Sequence, residues 1–132
     1  MRNFDTGATR DSEEGKIDFE GFLSPLALTR YAQYLNSHRR QADGKIRGSD
    51  NWQKGIPTDV YLKSAFRHFV DVWTIHRGNK VYDSKDGHEI DIQEALCAVL
   101  FNIMGYLHED IKASFRSIPT DSPLPTHANW SE

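Results

Sequence analysis

The chain has 132 residues, 38% of them hydrophobic and 27% charged, with a formal net charge of −3. That length suits a single core without metal or disulfide staples, and the charge excludes wide capture of nucleic-acid backbone, which needs a basic face. The one cysteine, Cys97, excludes an internal disulfide and suits a reducing cytoplasm. No apolar core of a signal peptide follows Met1-Arg2-Asn3-Phe4-Asp5. The longest apolar stretch, Ala95 to Leu107, is broken by Asn102 and Gly105 and is too short to span a bilayer, so no membrane partner is expected.

Thr6 to Gly21 has no clear period. Within it Thr6-Gly7-Ala8, Arg10 and Gly15-Lys16 offer a flexible grip for phosphate through Arg10 and Lys16. The Gly-x4-Gly-Lys spacing of a P-loop is absent. Ser24-Pro25 reads as an N-cap followed by proline at the first helical position, and predicts a helix to about Gln41. Arg39-Arg40 then lie near its C-terminus, where the helix dipole favours cations. Residues 43–57 form a long loop, and loops of that size in a compact domain are often functional. In it Asp50-Asn51-Trp52 and Lys54 place an aromatic plate, an amide and a cation together, a set able to stack a base and neutralise phosphate. Trp52 pinning its loop to the core is the equal alternative.

A second helix is predicted from Asp59 to about His76, stopped by Gly78. Tyr61, Leu62, Ala65, Phe66, Phe69 and Trp73 share its apolar side, where His76 reads as a hydrogen-bonded core histidine. Arg67 and Asp71 stand at i and i+4, the spacing of an exposed ion pair. The sharper alternative joins Asp71 and His68 to Glu94 as ligands of a divalent cation. Residues 78–89 are polar and turn-rich. The third helix is predicted from near Asp91 to about His108 or Ile111. A helix nearly apolar all round is normally buried, yet Asp91, Glu94, Ala98, Asn102, Gly105 and Glu109 fall on one stripe within about 80°. Such a stripe lines a pocket, with Glu94 and Asn102 as its polar groups. Alternatively, Asp91 to Glu94 form a capping box, Asn102 is a satisfied core amide, and Gly105 marks a close helix crossing.

These elements predict an all-α fold, a compact bundle of about three main helices with long functional loops. It occupies one domain over residues 1–116, followed by a Pro/Ser/Thr-rich tail at 117–132.

Taken in order, TGATRDSEEGK at 6–16, DNWQKG at 50–55, SAFRHFVDVW at 64–73 and EALCAVLFNIMGYL at 94–107 resemble the N-terminal domain of the dATP/dGTP diphosphohydrolases found mainly in bacteriophages. The resemblance covers Thr6 to about Glu109. It implies metal-dependent hydrolysis of dATP or dGTP to monophosphate and diphosphate in phage nucleotide metabolism. It also suggests kinship with the all-α nucleoside triphosphate pyrophosphohydrolases, which use Mg²⁺ held by helix carboxylates. On that basis Glu94 and Asp71 would hold Mg²⁺ (or Mn²⁺), with His68 as ligand or base. Arg10, Lys16, Lys54 and Arg67 would meet phosphate, while Asn51, Trp52 and Asn102 would meet the nucleoside. A homo-oligomer is expected, because three helices with long loops make a thin pocket. The EExxE helix of the pyrophosphohydrolases is absent, which keeps open a non-catalytic nucleotide-binding or signal-sequestering protein. A structural module without a ligand is the third reading.

Overall fold

Pro25 opens a helix where the Ser24-Pro25 pair predicts one, because its fixed φ and missing N–H cost nothing in a first turn. The structure, a computed structural model, describes residues 1–116; the tail expected at 117–132 lies outside them. Met1–Ser24 form one compact unit and the described residues from Pro25 onwards belong to a second.

In the first unit β1 (Arg2–Asn3) pairs antiparallel with β2 (Thr9–Arg10). Gly7 makes the turn at φ +90°, a conformation L side chains rarely adopt. Arg2 donates to Glu13 at 2.6 Å. A short helix, α1 (Phe19–Phe22), follows where the sequence shows no period; the Asp18 side chain caps it by accepting from the Gly21 N–H at 2.9 Å.

The second unit carries the three expected helices. α2 (Pro25–Ser37) stops earlier than the predicted Gln41, so Arg39 and Arg40 lie beyond the helix. A tight turn accounts for the stop: Arg40 bridges Ile46 and the Arg47 N–H donates to the Arg39 carbonyl at 2.9 Å. A 3-10 turn, Asn51–Lys54, leads to α3 (Thr58–His76). The polar 78–89 stretch folds into a hairpin of β3 (Val81–Tyr82) and β4 (Glu89–Ile90). Its turn is held by the Asp83 carboxylate, which accepts from the Lys85 N–H at 2.7 Å and the Asp86 N–H at 3.2 Å. The two small hairpins make the chain mostly helical rather than all-α.

The last helix, α4 (Ile92–Arg116), runs beyond the predicted end. Asp91 caps it, accepting from the Glu94 N–H at 2.8 Å. Glu94 does not complete a capping box, because its carboxylate is engaged by His88.

α3 and α4 pack antiparallel, and the surface they share inverts the usual expectation. The buried side of α4 is its small and polar stripe: Ala95, Ala98, Asn102 and Gly105, with Cys97 beside it. Leu96, Leu100, Ile103, Met104 and Leu107 are exposed instead. Small residues are what let the backbones approach: Tyr61 is 1% exposed and its ring lies against Gly105 and edge-on to Phe101. Asn102 satisfies part of its amide inside the helix, donating to the Ala98 carbonyl at 2.8 Å. His76, expected in the core, is exposed, because burial on α3 centres on Tyr61 and Ala65, three turns or more away. No helix among the described residues is long and apolar enough to cross a membrane.

Candidate functional site

The polar stripe of α4 looks across a cleft of about 1070 Å³ in the second unit. Its floor is Phe101 and Asn102 of α4 with Ser64 and His68 of α3. One wall is the end of α2 and the turn beyond it, bringing Tyr34, His38, Arg39, Arg40 and Arg47. A second part of the lining is the β3–β4 hairpin with the start of α4, bringing Asp83, Lys85, Asp86, His88 and Glu94. Asn51 and Trp52 close one end.

Of the residues singled out by sequence, Asn51, Trp52, His68, Glu94 and Asn102 are gathered here. Trp52 lines the cleft and also pins its turn, lying edge-on to His108 with ring centroids 4.7 Å apart. Asp71 stands beside His68 (Nδ1–Oδ2 3.9 Å) but does not line the cleft. Arg67 and Lys54 are exposed and also lie outside the lining. For Arg67 the reason is helical geometry, since one step along α3 turns it about 100° from His68. Arg10 and Lys16 are exposed residues of the Met1–Ser24 unit.

Sequence reasoning missed the most charged parts of the walls. Arg39 and Arg40 are brought near Arg47 by the turn at Gly44, whose φ of +85° suits glycine. Arg39 is braced, its Nε donating to the Arg47 carbonyl at 2.9 Å. Arg30 is braced by Gln93, donating from Nε to Oε1 at 3.0 Å. The Arg39-Arg40 pair, with Arg47 across a Gly44 turn, was the available signal; so was Asp83-Ser84-Lys85-Asp86-Gly87-His88, with two acids and a histidine on a turn.

The charge of this cleft runs against that of the chain. Although the net charge is −3, the lining holds four arginines and Lys85, besides His88, against three carboxylates. The arginines come from α2 and the turn beyond it, and the carboxylates from the β3–β4 hairpin and the first turn of α4, which also carry Lys85 and His88. His88 bridges Asp86 (Nδ1–Oδ1 2.5 Å) and Glu94 (Nε2–Oε2 2.9 Å), and these partners push its pKa up to about 9, Glu94 contributing most. The doubly protonated ring therefore donates to both carboxylates at neutral pH. Asp86 is held below the usual carboxylate range first by the His88 backbone N–H, which donates to it at 3.0 Å, and then by the His88 ring. His68 is shifted the other way, down, because burial disfavours its charged form more than Asp71 restores it. Burial likewise lifts the Tyr34 hydroxyl to about 12.

Compared with known proteins, the chain matches no family model, no curated sequence and no solved structure.

The expected metal set of Glu94, Asp71 and His68 is not gathered into one cluster. Among the described residues, the cluster whose donor atoms lie within 4.8 Å of one another is Asp83, Asp86 and His88. Its two carboxylate oxygens suit a hard cation. The imidazole nitrogen fits Mn²⁺ better than Mg²⁺, which favours an all-oxygen, water-rich shell. A cation bound there would have to displace the His88 proton.

Proposed function

We propose that this chain binds a purine deoxynucleoside triphosphate and hydrolyses it, with a divalent cation, to the monophosphate and diphosphate. The observation that carries the reading is that one cleft is lined both by Arg39, Arg40 and Arg47 and by Asp83, Asp86, His88 and Glu94, together with Trp52. A triphosphate needs both: guanidinium forks pair with phosphate oxygens, and a cation opposite neutralises charge developing on the phosphoanhydride and activates water. Asp83, Asp86 and His88 would hold Mn²⁺ or Mg²⁺. Arg39, Arg40 and Arg47 would bind the phosphates, and Trp52 would stack the base while Asn51 and Asn102 offer amides to its edge. Glu94 would accept a proton from the attacking water once His88 is committed to metal. The setting proposed is nucleotide metabolism of a bacteriophage in its host's cytoplasm.

A second reading has its own support. Asp86, which would hold metal, and Glu94, which would accept the proton, are both tied to His88, 2.5 and 2.9 Å from its nitrogens, which suits a protein that binds a nucleotide without cleaving it.

Diphosphate release from a panel of deoxy- and ribonucleoside triphosphates, with Mn²⁺ or Mg²⁺, separates the two. Metal-dependent release that Asp86→Asn and Arg47→Met each suppress, with helical content unchanged, supports hydrolysis. Micromolar nucleotide binding without release from any substrate leaves the binding protein. Absence of both binding and release removes the nucleotide reading altogether.

A further inference from the structure

Trp52 stands on a 3-10 turn of four residues, Asn51–Lys54, and Asp50 before it makes no side-chain cap. So short a turn does not fix a large ring by its own backbone. Two contacts from α4 tie it down. The Trp52 and His108 rings meet at 73° with centroids 4.7 Å apart, and the Lys112 Nζ donates to the Gln53 carbonyl at 3.4 Å. His108 and Lys112 stand at i and i+4, so they share one face of the helix. Neither is among the residues that line the cleft. Lys112 has a second neighbour in Glu109, 4.0 Å away.

We propose that His108, with Lys112 beside it, is a positioning residue for the base-binding end of the cleft. It holds the Trp52 ring in place before a nucleobase stacks on it. The inference rests on the nucleotide reading given above and adds what sets its base subsite.

The argument is one of preorganisation. An indole free to swing about its two side-chain torsions must be immobilised when a base stacks on it, and that ordering weakens binding; a ring already held avoids the loss. An edge-on aromatic pair stabilises one orientation beyond its burial. At 73° it also leaves at least one face of the indole clear of the imidazole, which is the face a base needs. Lys112 is engaged by a backbone carbonyl and lies outside the lining, so its charge anchors the turn rather than meeting a ligand. Arg39, Arg40 and Arg47 come from a different segment, the end of α2 and the turn beyond it. Loosening Trp52 therefore leaves them in place. Affinity for the base depends on α4 through His108, whereas affinity for phosphate does not, and general destabilisation has no such selectivity.

Calorimetry of the full chain tests this with two ligands: α,β-methylene dATP, which resists the proposed cleavage, and inorganic tripolyphosphate, which has no base. His108→Ala is expected to weaken the analogue about 3- to 10-fold and to change tripolyphosphate less than about twofold, while His108→Phe, which keeps a ring, restores the analogue to within about twofold. On a Trp52→Ala background, itself weakened about 10-fold by loss of stacking, His108→Ala should have no further effect. Should His108→Ala fail to fold, His108→Leu, which fills the space without a ring, must show the same selective loss. Equal loss of both ligands overturns the proposal by making His108 merely structural. Unchanged analogue affinity overturns it by showing that the indole is held elsewhere. Further loss on the Trp52→Ala background overturns it by showing that His108 acts by another route. In all three cases the wild type still binds the analogue, so the nucleotide reading stands. A wild type that binds neither ligand removes that reading and this inference with it.

Discussion

Tyr61 lies across Gly105, with its hydroxyl 2.7 Å from the point a Cβ on Gly105 would occupy and its ring closer still. This crossing, between the first turn of α3 and the middle of α4, sets how nearly the two helices approach. Neither residue has room to yield, since Tyr61 is 1% exposed and its neighbour Phe101 packs on it edge-on.

Gly105→Ala is therefore expected to destabilise the fold. Removing a mid-helix glycine gains about 1 kcal/mol of helix propensity, but over-packing a tight contact costs about 1–3 kcal/mol. A net loss of about 1 kcal/mol in urea unfolding is expected, recovered in part by Tyr61→Leu on the same background. Gly105→Ala more stable than wild type would mean that the crossing has slack.

Arg47→Met should weaken binding of a nucleoside triphosphate while leaving the helical signal unchanged. A charge-assisted hydrogen bond contributes about 1.5–3 kcal/mol, so a loss of about 10- to 100-fold in affinity is expected by calorimetry. Arg67→Met serves as the comparison: Arg67 is exposed outside the cleft lining, and its loss should change affinity less than about twofold.

Asp86→Asn should reduce Mn²⁺ binding. Loss of even an outer partner of a metal ligand costs about 10- to 100-fold, so removal of a ligand carboxylate is expected to cost at least about 10-fold, read from free Mn²⁺ by electron paramagnetic resonance. Asp71→Asn, outside the cluster, should bind Mn²⁺ as the wild type does. If Asp71→Asn proves the damaging change, the metal lies on α3 and the hairpin cluster is only a turn. Chelation should stop diphosphate release, and added Mn²⁺ should restore it.

The pH dependence of the metal-free protein should report His88. Its folded pKa, about 9, lies above the ordinary 6.5, so the folded state binds more protons between these values. The resulting stabilisation is complete below about pH 6.5 and disappears as the pH rises through 9. The carboxylate limb has the opposite sign: Asp86 is depressed by the His88 backbone N–H and then by its ring, so its contribution fades as the pH falls through the carboxylate range. The difference in melting temperature between wild type and His88→Gln should be greatest near pH 6 and vanish by pH 10. A difference that is flat across this range would mean that the ring does not bridge Asp86 and Glu94 in solution.

Local signals were legible wherever local chemistry decides the outcome. Ser24-Pro25 placed the start of α2, the apolar spacing from Asp59 to His76 outlined α3, and the Asp91 cap announced α4. The stripe of Glu94, Ala98, Asn102 and Gly105 was visible as a feature of the helix. Both readings of it hold in part, since Gly105 is a close crossing while Glu94 and Asn102 line the cleft. The arginine wall was not legible. Arg39, Arg40 and Arg47 are loop residues brought to one cleft by the turn that the Arg40–Ile46 bridge closes, and no periodicity reports such a turn. The same holds for His88, which meets Glu94 only because the β3–β4 hairpin folds back onto the first turn of α4.

By itself the amino-acid sequence determined a mostly helical chain, the three main helices and their approximate starts, and the unequal faces of α4. These follow from capping, proline and glycine chemistry, and the 3.6-residue period, all acting within a few residues of one another. Only the tertiary structure decided which face of α4 turns inward, and its choice was the small, polar one. Periodicity shows that two faces differ but not which of them a neighbour will cover. That depends on the Tyr61–Gly105 approach, on the charged walls that the loops bring to Asn102, and on the large side chains left pointing outward.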